Sequence, residues 1–535
     1  VSRLGERFLA FISRYPRSAA VLFYVRHPGV FAAKAVRRLA RLRRDRICRA
    51  VLDEGRVVCE VDAAAGADLI SIVTPVWRVA EEHLRAAIAS VRAQSYPHWE
   101  LLLGNDASPD PHVRRVLDEA ARGDRRIRVE HFSDNLGIAA ASDRLVARAG
   151  TRFVAFLDHD DLLHPRALEL VARFLTANPD VDWVFTDQDK VDERGRHREP
   201  CLKPGWSHHL LLAFNYVTHL RVVRRSLLAL LGGHRSGLDG AQDYDLALRA
   251  QGAGARFAHL PGVLYHWRAV AGSMARAASD KPVAHERALR ALADHAAGFP
   301  AGGRVSAEVL LAPASFFRVR RAAAPDLRIA AIQRGGAGPP ADVCARIEEV
   351  TTLAADADEH AVVAAVRRSV APVVALLPER GLPPEDLEEL LALLQVSGTA
   401  VAAPRLVDGH RVTASGWWAC AGGGVTDPWA GLRLSEPGYL NLGLVPGPRL
   451  LPPRAAWVAW KEPFLAAWNA AGDVPTPWRL AVGCARAGLE VVTTPAASLP
   501  GSPEPPPPLP VPGDLPVHAS RWLRELALVR CQGAR

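Results

Sequence analysis

From Asp68 to about residue 157 the chain alternates short apolar runs with stretches of helical spacing, and this alternation restricts the fold most. Leu69–Val73 is β-branched and ends at Thr74-Pro75, and Glu81–Gln94 repeats Leu84, Ile88 and Val91 at helical spacing. Glu100–Leu103 is a second strand, closed by Gly104-Asn105-Asp106-Ala107-Ser108. A helix over 113–121, a strand over 127–131, a helix over 137–149 and a strand over 153–157 continue the pattern. Strands joined through helices imply a parallel sheet covered on both faces. In such sheets ligands sit beyond the carboxyl ends of the strands, so the polar residues just after each strand are the ones to inspect.

The strand Phe153-Val154-Ala155-Phe156-Leu157 is wholly apolar and runs straight into Asp158-His159-Asp160-Asp161. Three carboxylates beside a core repel one another unless a cation compensates them. Oxygen-rich sites of this kind suit Mg²⁺ or Mn²⁺, which also take substrate phosphates as ligands. A helix cap accounts for one acid: Asp161 precedes an expected helix over Leu162–Leu175. Three other polar clusters stand out. Asn105-Asp106-Ala107-Ser108 follows the second strand, and there an acid can accept from a nucleobase or ribose, or simply make a turn. Asp243 opens an amphipathic helix carrying Leu246 and Leu248, where a cap would be the plain account. Val263-Leu264-Tyr265 ends in His266-Trp267-Arg268, where a lone His is usually structural and an Arg can grip a diphosphate with two hydrogen bonds.

Taken in order, these segments resemble the inverting family-2 glycosyltransferases of the GT-A fold, particularly bacterial enzymes of surface-polysaccharide and O-antigen assembly. The matching text includes Ser71-Ile72-Val73-Thr74-Pro75-Val76, Ser90 to Glu100, Asp134-Asn135-Leu136-Gly137-Ile138 and Lys203-Pro204-Gly205-Trp206-Ser207. Asn215-Tyr216, Gln242-Asp243-Tyr244-Asp245 and Tyr265-His266-Trp267-Arg268 extend it to about residue 274. The resemblance implies that Asp158 and Asp160 form the DxD motif holding a divalent cation (Mn or Mg), the ribose and the diphosphate. It implies that Asp106 recognises the nucleobase, with Pro75 and Trp77 in the loop around it. Asp243 takes the place of the catalytic base, and His266 and Arg268 fall where metal or diphosphate is contacted. Three positions depart from the family pattern: Trp77-Arg78 for Tyr-Asn, Asn105 for the first of two aspartates, and Asp143 for Asn.

A second α/β unit starts near Asp326, at Leu327–Ile332, and runs to about 499. Val374-Ala375-Leu376-Leu377-Pro378-Glu379-Arg380 lines up with Val154 to Asp160, placing Pro378 under Asp158 and Arg380 under Asp160. Leu480 to Pro495 mirrors Leu246 to Pro261, and Asp243 falls on Pro477. The unit therefore reads as a degenerate GT-A-like domain without the acids, suited to supporting the first, binding acceptor glycan or mediating assembly. Asp473 is the one nearby acid that a shifted second site could use.

Charge divides the chain. Residues 1–50 hold 13 Lys and Arg against Glu6 and Asp45, so of the net +9 this segment carries +11 and residues 51–535 about −2. With no basic stripe in the body, nucleic acid is not an expected partner. Phe8, Leu9, Phe11 and Ile12, then Val36, Leu39, Leu42 and Ile47, make the basic segment amphipathic, suited either to an anionic membrane surface or to packing on the main domain. The seven scattered cysteines form no CxxC pair, which fits a reducing compartment, and no signal peptide or spanning apolar run is visible.

The expected organisation is a basic helical segment over 1–66, a catalytic GT-A domain over 67–276, a helical connector over 277–325, a degenerate GT-A-like domain over 326–499, and a Pro-rich tail with a short helix over 500–535. The expected activity is metal-dependent transfer from a nucleotide-sugar donor to a glycan or polyprenyl-diphosphate-linked acceptor. Its expected place is the cytoplasm, with the inner face of the membrane open as an attachment site. The alternative is a non-catalytic glycan-binding or scaffolding pseudo-glycosyltransferase, against which the retained Asp106, Asp158, Asp160 and Asp243 argue.

Overall fold

The computed structural model describes residues 70–268, 281–298, 306–311, 316–320, 322–335, 346–379 and 381–414, with shorter stretches between 418 and 500. The basic N-terminal segment, the Pro-rich tail, Arg380, Asp473 and Pro477 lie outside the described residues. Among the described residues, no helix is long and apolar enough to cross a membrane.

The first unit runs β1 (Ile70–Val76), α1 (Glu81–Arg92), β2 (Trp99–Asn105), α2 (Pro111–Gly123), β3 (Ile127–His131), α3 (Gly137–Arg148), β4 (Phe153–Phe156) and β5 (Leu162–Leu163). It continues with α4 (Ala167–Ala177), β6 (Trp183–Val191), β7 (His197–Cys201), α5 (His208–Ala213), β8 (Arg221–Arg224), α6 (Arg225–Leu231), α7 (Gln242–Gly252) and β9 (Phe257–Arg268). The strands form one sheet in the order β3-β2-β1-β4-β8-β6-β9-β5, with β7 against β6.

The first four strands are parallel, as the alternation predicts, but the sheet as a whole is mixed. β8 runs antiparallel to β4 and β6, β7 antiparallel to β6, and β5 antiparallel to β9. The β6–β7 reversal needs only a short turn, in which Asp192 accepts from the backbone N–H groups of Arg194 and Arg196; a parallel pair would need a crossover helix.

Burial on both faces explains why β4 carries no polar residue. Phe153 and Ala155 join Ile70, Ile72 and the apolar faces of α1, α2 and α4. Val154 and Phe156 join Val73, Leu102 and the α3 side. A strand buried on both faces reads as an unbroken apolar run.

After α8 (Lys281–Ala296) and a hairpin of β10 (Ser306–Leu311) with β11 (Phe316–Arg320), the chain enters a second sheet. Its elements are β12 (Ile329–Arg334), β13 (Ile347–Leu353), α9 (Glu359–Arg368), β14 (Val373–Leu377), α10 (Pro384–Leu394), β15 (Thr399–Asp408) and β16 (Arg411–Ala414). A small ribbon, β17 (Trp418–Ala419) with β18 (Val425–Thr426), precedes β19 (Gly447–Arg449), β20 (Trp457–Trp460), α11 (Lys461–Ala470), α12 (Arg479–Arg486) and β21 (Glu490–Pro500).

The second sheet has the order β13-β12-β14-β20-β15-β21-β19, with β16 against β15. Position by position this repeats β2-β1-β4-β8-β6-β9-β5 with β7 against β6. The directions repeat too: β14 is parallel to β12 and antiparallel to β20, and β21 is parallel to β15 and antiparallel to β19. The outermost strand comes from a different point in the chain, β5 following β4 directly and β19 coming after β15. At the end of β14 the buried Gln333 donates from Nε2 to the carbonyls of Pro378 (3.3 Å) and Glu379 (2.7 Å), so a neutral amide bridges the place where β4 opens into acids.

The two units touch through α5. Glu490, at the start of β21, accepts from Ser207 Oγ at 2.6 Å and from the His208 backbone N–H at 3.0 Å, while His209 Nε2 lies 2.7 Å from Thr399 Oγ1.

Candidate functional site

The loop leaving β4 is fastened from the end of β9. The Tyr265 hydroxyl donates to Asp161 Oδ2 at 2.6 Å and accepts from the Asp158 backbone N–H at 3.3 Å. The Arg268 backbone N–H donates to Asp161 Oδ1 at 2.7 Å, and Arg268 Nε donates to the Asp160 carbonyl at 2.8 Å. The expectation that Asp161 caps a helix over 162–175 is therefore corrected. Leu162 and Leu163 pair with His266 and Tyr265 as strand β5, α4 begins at Ala167, and Asp161 is fully buried as the anchor between the two strand ends.

Asp158 feels this crowding. Burial, then the carboxylates of Asp243 and Asp160, push its carboxyl up to about 6. Burial, then Asp158 and Asp160, push Asp161 well above the ordinary carboxylate range. Asp158 and Asp161 thus lack the positive charge that would compensate them. An all-oxygen donor set that is electrostatically strained without a cation fits a hard divalent ion.

Asp243 is the second residue of α7, whose N-cap is Ala241, and its side chain makes no cap hydrogen bond, so the capping account does not hold. Its partner is Arg221, with Nη1 2.5 Å from Asp243 Oδ1. Burial raises the Asp243 carboxyl, but the charges of Arg221 and His234 outweigh it and hold the group below its ordinary range. His234 is in turn fixed by Asp143, which accepts from its backbone N–H at 2.8 Å and from its Nδ1 at 2.7 Å. The departure at Asp143 thus has a structural use.

The loops around the expected nucleobase position are tied together. The Arg78 backbone N–H donates to Ser108 Oγ at 3.1 Å, and His159 Nδ1 donates to the Pro75 carbonyl at 3.1 Å. Trp77 is 44% exposed, with the Arg78 guanidinium 4.8 Å from its ring centre. Asp106 is buried and already engaged, accepting from the backbone N–H groups of Leu136 (2.7 Å) and Gly137 (3.0 Å) where α3 begins. The acid expected to read a base is thus also the anchor of a helix N-terminus. Asn105 accepts from the Ser108 N–H at 3.0 Å and donates to His131 at 3.1 Å.

His266 is not grouped with the β4 acids. Its Nδ1 donates to Asp189 Oδ1 at 2.7 Å, the His197 Nδ1 donates to Asp189 Oδ2 at 2.7 Å, and the ligand atoms of the three residues lie within 4.8 Å of one another. Burial raises Asp189, but these two histidines outweigh it and keep it ionised.

Sequence reasoning passed over Arg221, His234 and His219. His219 stacks on Tyr265 at 4.7 Å, and burial, then Lys203, drive its imidazole down to about 3, so it is neutral. Burial takes Lys203 itself down to about 8; its Nζ donates to the carbonyls of Thr218 and His219. The only signal available for these residues was their closeness in sequence to Asn215-Tyr216 and Gln242-Asp243.

The glycosyl transferase family 2 model matches residues 71–231. The uncharacterized protein y4gI of Sinorhizobium fredii is 43% identical over 231 residues, which are 43% of this chain and 25% of that protein. The O-antigen biosynthesis protein RfbC of Myxococcus xanthus is 42% identical over 229 residues, 43% of this chain and 18% of that protein. The chain therefore spans a quarter or less of these two curated relatives. The putative glycosyltransferase EpsE of Bacillus subtilis is 30% identical over 202 residues, 37% of this chain and 72% of that protein. Among solved structures, S. aureus TarS 1-349 in complex with UDP-GlcNAc shares 20% identity over 42% of this chain and 66% of that chain, with a TM-score of 0.36. With EpsE covered over more than two thirds of its length and the family model matched across β1 to α6, the chain belongs to glycosyl transferase family 2.

Proposed function

We propose that residues 67–276 transfer a sugar from a nucleotide-diphosphate sugar to a hydroxyl of a glycan or polyprenyl-diphosphate-linked acceptor, with inversion, in the synthesis of a cell-surface polysaccharide. The observation that carries this reading is the convergence of Asp158, Asp160 and Asp243 at the ends of β4 and α7. Asp158 and Asp160 would hold the divalent cation and, with it, the donor diphosphate. When bound, that cation supplies charge neutralisation to the departing nucleoside diphosphate. Pro75, Trp77 and Asp106 would surround the base, and Arg268 would lie beside the diphosphate.

Asp243 takes the proton of the acceptor hydroxyl as that oxygen bonds to the anomeric carbon. The bond from that carbon to the diphosphate oxygen breaks in the same displacement, and its electron pair leaves with the nucleoside diphosphate. One displacement inverts the centre, and no covalent intermediate on the protein is involved. Family relatives named for O-antigen and teichuronic acid synthesis support the polysaccharide setting. We place the reaction at the cytoplasmic side of the membrane, with the basic segment 1–50 as the contact to anionic lipid.

The test is nucleotide release from a panel of UDP-, dTDP- and GDP-sugars with Mn²⁺, with and without oligosaccharide acceptors. One donor should be turned over, and Asp160→Ala should abolish the turnover. Failure with every donor, together with saturable glycan binding, would sink the reading in favour of a non-catalytic glycan-binding protein.

A further inference from the structure

Arg221 is buried beside the candidate base and keeps one donor that its ion pair with Asp243 does not use. It opens β8 and pairs in register with Phe156 on β4, so it stands one residue before Leu157 and the acids. It is 7% exposed, and its guanidinium carbon lies 4.2 Å from the centre of the Phe156 ring. His234 meets the same ring edge-on at 6.0 Å. The Nε of Arg221 is buried and has no hydrogen-bond partner among the described residues. An unsatisfied buried donor on a cation is costly, and such a group calls for a reason other than packing. The planar fork held on an aromatic face has little rotational freedom, so it presents its Nη1 in one direction. That direction is Asp243 Oδ1, at 2.5 Å. The Asp243 side chain keeps 25% of its surface exposed, against 9% for that of Arg221.

We propose that Arg221 is the positioning residue for Asp243: from the Phe156 wall it pins Oδ1, and so orients the partly exposed carboxylate to receive the acceptor proton. This rests on the assignment of Asp243 as the base. In this role Arg221 acts through Asp243 and not on donor or acceptor directly. Its removal frees the carboxylate to rotate, and misplacement by about 1 Å can cost about 100-fold in rate. A residue that merely balances the charge of a buried acid would be replaceable by any cation or by charge removal at Asp243. A positioning residue requires the planar guanidinium, which lies on the Phe156 ring while its Nη1 holds Asp243.

The experiment compares wild type, Arg221→Met, Arg221→Lys, Arg221→Ala and Asp243→Asn with the nucleotide sugar most rapidly turned over in the donor panel, using MnCl₂ and saturating acceptor. The expected result is a kcat loss of about 100-fold in Arg221→Met, with the KM for donor and the Mn²⁺-dependent binding of the matching nucleoside diphosphate unchanged. Arg221→Lys should recover only part of the rate, and millimolar guanidinium should restore turnover to Arg221→Ala. Wild-type kcat in Arg221→Met while Asp243→Asn is inactive would overturn the proposal. So would a parallel loss of nucleoside diphosphate binding, which would make Arg221 a donor ligand. Full turnover by Asp243→Asn is a different failure, that of the base assignment itself. Guanidinium rescue keeps the test decisive even where Arg221→Met folds poorly.

Discussion

The Tyr265 hydroxyl donates to Asp161 at 2.6 Å and accepts from the backbone N–H of Asp158 at 3.3 Å, so one side chain from β9 sets the loop that carries both expected metal-binding acids. Tyr265 is fully buried, as is Asp161. Removing the hydroxyl in Tyr265→Phe leaves a buried carboxyl short of a donor, a loss of about 1–3 kcal/mol in stability. Chemical denaturation should show this, and calorimetry should show weaker Mn²⁺-nucleotide binding. Unchanged stability and binding would mean that the loop is held by Arg268 alone.

Asp158 predicts a pH signature. Its folded carboxyl titrates near 6 against an ordinary value of 3.8, so its contribution to stability is present below the ordinary value and is lost as pH rises through about 6. Without metal, wild type should therefore lose stability relative to Asp158→Asn across that window. Mn²⁺ affinity should rise across the same window, because the cation binds the ionised form. Melting curves of both proteins with EDTA, and Mn²⁺ titrations, test the two halves.

Asp106 combines a helix anchor with an expected base contact. Asp106→Ala should cost about 1 kcal/mol through loss of the N–H partners at the start of α3. A rise in donor KM beyond that of an equally destabilised variant elsewhere in the domain would show the base contact. A KM unchanged beside the stability loss would confine Asp106 to the helix.

His266 separates two metal arrangements. Asp160→Ala should abolish Mn²⁺-dependent nucleotide release, whereas His266→Ala should retain most of it, because the His266 Nδ1 is committed to Asp189. Equal loss in both variants would place the His266 ring in the shell of the donor-bound cation.

Glu490 joins the two units. Burial pushes its carboxyl up to about 7, so its contribution to stability is present below the ordinary 4.5 and lost as pH rises through 7. Wild type should lose stability relative to Glu490→Gln as pH rises from about 4.5 to about 7. Glu490→Ala should cost about 1–3 kcal/mol at the acid end of that window, since the Ser207 hydroxyl and the His208 N–H lose their acceptor. The helix it caps holds the neighbour of the candidate base, because the Tyr244 hydroxyl donates to the Leu211 carbonyl at 2.6 Å. A fall in kcat in Glu490→Ala would give the second unit a supporting role.

The parts of this protein that follow from local rules were legible in the chain. The strand Phe153–Leu157 had to be buried on both faces because it offers no polar face, and its acids had to emerge at the sheet's carboxyl edge. The repeat was visible because an apolar framework leaves its period in the sequence even where the acids are gone, and the strand order of the second sheet repeats that of the first.

Other features depend on contacts between distant residues. Arg221 and Asp243 meet only because β8 returns antiparallel to β4 while α7 points its first turn at the same edge. Whether Tyr265 or His266 faces the acids is set by register. The β6–β9 pairing slips between Thr186 and Asp187 and again between Asp187 and Gln188. A slip of one residue sends every following side chain to the opposite face. Composition and spacing therefore determined the framework and the acids at its edge. The tertiary structure decided which partners those acids have, because partners across a sheet are chosen by strand direction and register, which no local pattern records.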